Sequence, residues 1–342
     1  MTVAARPMIS VIISTYNYGR YIEKAVASAL GQDFPAEDFE VIVVDDGSTD
    51  DTSSMLAPYM GRITYFARAN GGQASALNTG FKIAKGDIIA FLDSDDFWYP
   101  EKLKEITREF GRPGDIDVVY NCMHIVDKDD TVIGELKETR GALRFEKRPL
   151  GRLLAGSMPF GPVTSAISAR ASCLKNIMPI PEGIRICADW YVNLLLPLYA
   201  REYAMCGQFL GAYRIHSDNY WENALRTPDF IRRNIDVNEI TSHVLAVHAR
   251  KLGYDASAAE RMLKAISGEE TIILRKLEGK PMEAVKEAFR WKGFSRHSHK
   301  AAGSLIKKTH LILYALLPAR AYKFLYSRYE NSFLSRIKRR LK

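Results

Sequence analysis

Residues 87–103 read DIIAFLDSDDFWYPEKL. An apolar run, Ile88 to Leu92, ends abruptly in Asp93, Asp95 and Asp96, and Pro100 then opens a helical pattern. Carboxylates crowded in this way repel one another, and a divalent cation that also carries phosphates is the usual means of joining them. The stretch therefore reads as a buried strand that delivers three acids at its carboxyl end and runs on into a helix.

Working outward, the first ~120 residues alternate short β-branched runs with helical spacing. Strand patterns cover MISVIIST (8–15), FEVIVVDD (39–46), RITYFA (62–67) and DIIAFLD (87–93). Between them, Tyr21, Ile22, Ala25, Val26, Ala29 and Leu30 repeat at helical spacing, and a helix from about 72 to 84 opens on Gly71-Gly72. Continuously apolar strands separated by helices indicate an α/β fold, a Rossmann-like and mostly parallel sheet with helices on both faces. Ligands in such sheets bind at the carboxyl ends of the strands. Three polar clusters, 14–17, 45–48 and 93–96, lie there and are expected to converge on one rim. Further on, DVVYNCMHIVDKDDTVIGEL (117–136) reads as two strands turned at Lys128-Asp129-Asp130, SAISAR (165–170) as another, DWYVNLLLPLYA (189–200) as a helix and YAMCGQFLGAYRIH (203–216) as a last strand. After Asp218 the pattern is helical, with breaks near Gly253, Gly279-Lys280-Pro281 and Pro318. Two regions are expected: a catalytic domain over 1–220 and a helical region over 221–342.

With 342 residues, 47% of them apolar, the chain is long enough for a large core. Cys122, Cys173, Cys187 and Cys206 show neither CxxC pairing nor metal-ligand spacing, which points to reduced thiols in the cytosol. No basic start, apolar stretch and small-residue cleavage site mark the N-terminal segment, and LILYALL (311–317) falls far short of the ~18 residues of a spanning helix. The net charge of +8 is unevenly spread: from Val285 onward fifteen Lys and Arg face two acids, Glu287 and Glu330, and the remainder is mildly acidic. In the tail Tyr322, Leu325, Tyr329, Phe333, Ile337 and Leu341 recur every three or four residues among Arg320, Lys323, Arg328, Arg336, Arg339 and Arg340. A basic amphipathic helix of this kind suits an anionic membrane surface, with packing on the catalytic domain or a partner subunit as the alternative. Nucleic acid is not expected, because no recognition motif accompanies the charge.

SVIISTYNYGRYI (10–22), VIVVDDGSTDDT (41–52), GGQASALNTGFKIAKGDIIAFLDSDD (71–96) and YRIHSDN (213–219) occur in this order. In them the chain resembles the inverting family 2 glycosyltransferases of GT-A fold, over roughly residues 8–220. The resemblance implies a nucleotide-sugar donor, with Mn²⁺ or Mg²⁺ held by Asp95, and Asp93 on the ribose or the metal. It implies that Asp46 reads a uracil or thymine base, that Ser14, Thr15 and Tyr16 surround the base, and that Arg68, Asn70 and Gln73 at the Gly71-Gly72 turn face the donor. His216 is implied as a further metal or phosphate ligand. RICADWYVNLLL (185–196) matches the segment carrying the family's catalytic base, which makes Asp189 that base, although Ala188 stands where Glu is frequent. A Gln-x-x-Arg-Trp sequence, found near this point in processive relatives, is absent, which implies one sugar per binding event. The expected acceptor is a glycan or lipid-linked oligosaccharide at the cytoplasmic membrane face, with the enzyme peripheral on the inner face of the cell membrane; assembly into a homo-oligomer stays open. Two other classes remain: a sugar nucleotidyltransferase, for which STYNYGRY (14–21) is a poor phosphate loop, and a non-catalytic membrane-associated scaffold.

Overall fold

The structure, a computed structural model, describes residues 8–137, 145–147, 163–216, 227–291, 311–312 and 314–316. Two compact units divide the chain: 1–225 with 239–260, and 226–238 with 261–342. The boundary expected near residue 220 and the amphipathic tail beyond Pro318 lie outside the described residues.

The first unit starts with β1 (Ile9–Thr15), α1 (Gly19–Leu30), β2 (Phe39–Asp45), α2 (Thr52–Leu56), β3 (Thr64–Ala67), α3 (Gln73–Ile83) and β4 (Ile88–Asp93). There follow β5 (Phe97–Trp98), α4 (Lys102–Phe110), the hairpin β6 (Ile116–Val126) and β7 (Val132–Leu136), β8 (Phe145–Lys147), β9 (Ile167–Arg170), α5 (Ala171–Leu174), α6 (Ala188–Leu195) and β10 (Glu202–Arg214). All seven residues of β1 are buried, which is why its pattern is continuous rather than alternating. Val11 and Ile13 pack with Ile22, Ala25 and Val26 of α1 and with Leu103 and Ile106 of α4. On β2, Ile42 and Val44 pack instead with Ala76 of α3. The sheet is thus covered on both faces.

One sheet contains all the strands among the described residues, in the order β3-β2-β1-β4-β9-β6-β10-β5, with β7 on β6 and β8 on β10. The pairings β1–β2, β1–β4, β2–β3 and β6–β10 are parallel. Strand β9 runs antiparallel between β4 and β6 and joins the two parallel parts, making the α/β sheet a mixed one. Register does the rest of the positioning. Thr15 pairs with Asp45, and Ser14 with Asp93, so residues of three clusters distant in sequence meet at one edge. The chain leaves β4 through Ser94, Asp95 and Asp96, and β5 then pairs with β10 through Phe97↔Ala212. That pairing brings the end of β10, with Arg214 and His216, back to the acids.

In the second unit, Ile231, Ile272, Ile273, Leu274, Ala284, Ala288, Trp291, Leu311, Tyr314 and Ala315 form a separate core. Its helices include parts of α7 (Pro228–Lys251) and α8 (Ser257–Leu277), and all of α9 (Pro281–Arg290). Among the described residues no helix is long and apolar enough to cross a membrane.

The turn before α3 is the tightest feature near the rim. Gly72 has φ +92°, and a Cβ there would sit 2.6 Å from Cα of Arg185. An L-residue in this region of φ costs about 1–3 kcal/mol before any clash is counted. Gly72→Ala is therefore expected to lower the thermal midpoint by about 4 °C or more, at ~2–4 °C per kcal/mol for a unit of this size. Circular dichroism melts check this, and an unchanged midpoint would show that the turn relaxes without loss.

Candidate active site

At the rim, Ser14 and Thr15 are buried and Tyr16 is exposed, 45% of its surface facing solvent. Asn17 takes a left-handed conformation and laces β1 to the Gly47-Ser48 turn: its amide donates to Ser48 Oγ (2.8 Å) and its Oδ1 accepts from Thr49 N (2.7 Å). Asp45 is structural, accepting Ser48 N and the Tyr65 hydroxyl, each at 2.8 Å. Burial, reinforced by this carboxylate, pushes the Tyr65 hydroxyl up to about 12.

Asp46 lies deeper than a freely presented base-reading acid. It is 2% exposed, accepts Gly71 N at 3.0 and 3.1 Å and Gly72 N at 2.6 Å, and pairs with Arg68 Nε at 3.2 Å. Arg68 sends its other donors to Ser75 O (2.6 Å) and Thr79 Oγ1 (2.9 Å), and Asn70 donates to the Asp46 carbonyl (3.0 Å) and accepts from Arg185. Asp46, Arg68 and Asn70 thus fix the Gly71-Gly72 turn as a unit at the rim. A cavity of about 1020 Å³ runs beside α3; it shares Arg68 and Ser75 with this turn but is not lined by Asp93, Asp95 or Asp189.

Gln73 ties this turn to the acids. Its Nε2 donates to Asp93 Oδ1 (3.1 Å), its Oε1 accepts Ala188 N (3.0 Å), and its own amide donates to Arg185 O (2.9 Å). One side chain therefore connects the acid at the end of β4 to the first turn of α6, where Asp189 lies. The residue before α6, Cys187, adopts φ +55°, which turns the helix start sharply.

Each carboxylate is handled differently. Asp96, 1% exposed, accepts Ser165 Oγ at 2.5 Å and Arg214 N at 2.9 Å. It fastens β10 rather than capping α4, whose N-cap makes no side-chain bond. Burial and the neighbouring Asp95 and Asp93 raise its pKa well above the ordinary range. Asp93 is pushed up to about 8, by burial first and then by repulsion from Asp95 and Asp189. Asp189 is pushed up to about 6 by burial, against the lowering effect of amides at its helix start. Asp95 meets His216 Nε2 at 3.2 Å, and the imidazole is packed on the rings of Tyr21 (4.5 Å between centroids) and Tyr18 (5.8 Å). Among the described residues no group of three or more His, Cys, Asp or Glu side chains is arranged as a metal site. The pair Asp95–His216 supplies one oxygen and one nitrogen donor, which fits a cation that keeps most positions for substrate phosphates.

Sequence reasoning passed over Ser165. Its hydroxyl donates to Asp96 and accepts Asp93 N at 3.0 Å, and its carbonyl accepts Trp98 Nε1 at 2.9 Å, so it spaces two of the acids. Only the insertion of β9 beside β4 brings it there, and a lone Ser before a short strand carries no signal of that.

A family model described as Glycosyl transferase family 2 matches residues 10–172. An uncharacterized glycosyltransferase of Nostoc sp. is 33% identical over 254 residues, 72% of this chain and 77% of that protein. The chain belongs to glycosyl transferase family 2. A chondroitin synthase of Escherichia coli is 35% identical over 130 residues, 37% of this chain but 19% of that protein. Several further relatives are matched over only 13–36% of their own length. S. aureus TarS 1-349 in complex with UDP-GlcNAc shares the fold at TM-score 0.56 and 21% identity, over 90% of this chain and 79% of that one. The mannosyltransferase PcManGT of Pyrobaculum calidifontis, in complex with GDP-Man and Mn²⁺, aligns at TM-score 0.50 and 16% identity, over 95% and 84%. The family 2 enzyme has the GT-A α/β fold that its motifs led us to expect.

The raised proton affinity of Asp189 predicts a stability effect with a definite sign. Between about pH 4 and 6 the folded chain holds a proton that the unfolded chain has released, so native-state deprotonation is destabilising, fully so above pH 6. Asp189→Asn is expected to stabilise the protein by about 1–2 kcal/mol at pH 8 and by almost nothing at pH 4. Thermal melts of the two proteins at both pH values check this; equal differences would contradict it.

Proposed function

We propose that this family 2 enzyme is a metal-dependent, inverting, non-processive glycosyltransferase that moves a sugar from a UDP- or dTDP-sugar to a glycan or lipid-linked acceptor. The observation that carries the reading is the Gln73 bridge, which connects Asp93 to the start of the helix that holds Asp189. Donor and acceptor chemistry are thereby set in one frame, as direct displacement requires.

In this reading the Asp189 carboxylate removes the proton of the acceptor hydroxyl, and the acceptor oxygen attacks the anomeric carbon opposite the departing diphosphate, inverting the configuration. A carboxyl with pKa near 6 is ionised at neutral pH yet remains a better base than an ordinary aspartate. Asp95 and His216 would hold Mn²⁺ or Mg²⁺, which supplies positive charge to the leaving diphosphate. Asp93 faces the ribose or the cation. Ser14, Thr15 and Asp46 form the base-side wall and the exposed ring of Tyr16 offers a stacking face. Arg68 and Asn70 keep the Gly71-Gly72 turn in place, and Gln73 orients Asp93. The UDP-GlcNAc in TarS and the Mn²⁺ in PcManGT support a nucleotide-sugar donor and a divalent cation. The amphipathic tail supports attachment to the cytoplasmic face of an anionic membrane, where ~1 kcal/mol per basic side chain favours binding. We take residues 1–220 as the catalytic domain and 221–342 as the helical region that presents this tail.

A thermal-shift screen of UDP, dTDP, GDP, CDP and ADP, each with Mn²⁺, Mg²⁺ or chelator, tests the donor site. A pyrimidine diphosphate is expected to raise the midpoint only with metal, by the equivalent of ~2.7 kcal/mol at a hundredfold excess over its dissociation constant. Asp95→Ala should lose the shift, and a shift that survives in chelator would overturn the metal assignment. Once a donor is in hand, the rate should rise about tenfold per pH unit up to about pH 6 and then level off. Asp189→Asn should lose the reaction by ~10²–10⁴-fold. Full activity in that variant would remove Asp189 from the mechanism.

A further inference from the structure

The cavity of about 1020 Å³ beside α3 has none of Asp93, Asp95 and Asp189 in its wall, and no step of the reaction above uses it. Ser75, Asn78, Thr79 and Lys82 of α3 line it. These positions recur every three or four residues, so one polar stripe of the helix faces the space. From β4 and β9 come Ile89 and Arg170, while Lys85, just beyond α3, and Lys175, directly after α5, add two further cations.

Among the described wall residues five are cations and two, Asp87 and Glu182, are acids. Two of the cations are spent inside the protein. Arg68 is held by Asp46, Ser75 O and Thr79 Oγ1, and Arg170 donates to the carbonyls of Ile116 (2.9 Å) and Phe110 (3.3 Å). Lys82, Lys85 and Lys175 differ: they are exposed, and among the described residues their ammonium groups form no ion pair or hydrogen bond, with Asp87, Glu182 or any other group. At the other end of the stripe Ser75 is only 3% exposed, and its hydroxyl has no hydrogen-bond partner among the described residues. A hydroxyl on so buried a residue costs stability unless something in the cavity completes its bonding.

We propose that this cavity is a second ligand site, for a phosphorylated carbohydrate whose phosphate group lies among Lys82, Lys85 and Lys175 and whose hydroxyl-bearing body runs along α3 to Ser75. Three lysines on one cleft concentrate positive potential and favour a multiply charged anion. Their ammonium groups act as point charges, which suit phosphate, whereas the planar forks that pair with carboxylates belong to Arg68 and Arg170 and are already committed. Seven helical positions separate Ser75 from Lys82, about 10 Å along the axis, a span that a sugar phosphate covers and a phosphate ion does not. The half-buried ring of Phe81 in the same wall supplies an apolar face for the sugar.

The test uses the full chain in metal-free buffer, so its outcome is independent of the metal reading given under Proposed function. Calorimetry compares glucose 6-phosphate, inorganic phosphate and glucose. Glucose 6-phosphate is expected to bind about tenfold or more tightly than inorganic phosphate, and glucose not measurably. Lys82→Gln combined with Lys175→Gln should weaken glucose 6-phosphate by about tenfold or more, while Lys104→Gln with Lys128→Gln, the same change of net charge outside this wall, stays within about twofold. Ser75→Ala removes a hydroxyl that the described protein groups do not use. It should weaken glucose 6-phosphate by about three- to tenfold and leave inorganic phosphate unchanged. Asp95→Ala should alter neither. Four results overturn the proposal: no binding of glucose 6-phosphate to the wild type, equal losses in the two lysine pairs, no difference between the two anions in Ser75→Ala, or a loss in Asp95→Ala, which would place the ligand at the acid rim.

Discussion

The constraint on which the rest of the structure depends is the crowding of carboxylates where β4 ends. Asp93, Asp95 and Asp96 follow one another within four residues, and Asp189 is close enough to raise the pKa of Asp93. Nothing in a parallel sheet requires this; like charges at such spacing lower stability. The fold answers by giving each acid its own partner. Ser165 and the amide of Arg214 take Asp96, Gln73 takes one oxygen of Asp93, and His216 meets Asp95. The partners come from three segments of the chain, the start of α3, the residues before β9 and the end of β10, which is why the antiparallel β9, the two-residue β5 and the long β10 all run to the same rim. Elements that look like irregularities in an otherwise parallel sheet are those that carry the partners.

A second set of contacts joins this rim to the Gly71-Gly72 turn. Asp46 draws the amides of Gly71 and Gly72 towards it, the absence of a Cβ on Gly72 lets Arg185 approach, and Gln73 then reaches both Asp93 and Ala188. A displacement of any one of these moves the others, because they share short hydrogen bonds and one backbone turn. Asp46 and Asp189, 143 positions apart, are thus connected through Gly72, Gln73 and a few bonds, none longer than 3.1 Å. The displacement proposed above would demand precision of about an ångström between reacting groups. Short cross-braces of this kind supply it without a large interface.

Much of this was legible in the sequence because strands carry their chemistry at their ends. Ser14, Asp45, Asp46 and Asp93 follow continuous apolar runs, and in a parallel sheet ends that follow such runs coincide. The helix at Asp189, the hairpin turned at Lys128-Asp129-Asp130 and the final strand before His216 were equally readable, since each is local. What the sequence does not display is which polar side chain meets which. Ser165 is two letters in from a short strand whose neighbour depends on an antiparallel insertion. Arg68 and Asn70 look like ligand-facing residues, yet their described bonds also brace the Gly71-Gly72 turn, because the amides there need an acceptor and Asp46 needs a cation. Asp130 reads as an ordinary turn residue, and only the tertiary structure shows that the turn closes through Asp127 and leaves Asp130 directed to Arg214 and Lys24.

The electrostatics of the site and the stability of the fold pull in opposite directions. Asp93 and Asp189 both hold protons more tightly than an ordinary aspartate, and Lys102, fully buried beside Asn121, is pushed down to about 7 by desolvation. Each of these groups makes the folded state less stable at some pH than an apolar residue of the same shape would. For Lys102 the cost has a structural return, since its amine reaches Asn121 and the carbonyl of Ser165, the residue that spaces Asp93 from Asp96. For Asp93 and Asp189 no structural return is evident: Gln73 would serve an amide at position 93 as well as a carboxylate, and Asp189 stands at a helix start that Ala188 and Cys187 already shape. Acids kept where they weaken the fold, on the rim to which the strand ends converge, are better explained by charge that appears during a reaction than by folding. Opposing this cost are the continuous β-branched strands of the sheet, each fully buried large side chain contributing ~1.5–3 kcal/mol to the first unit that holds the four carboxylates.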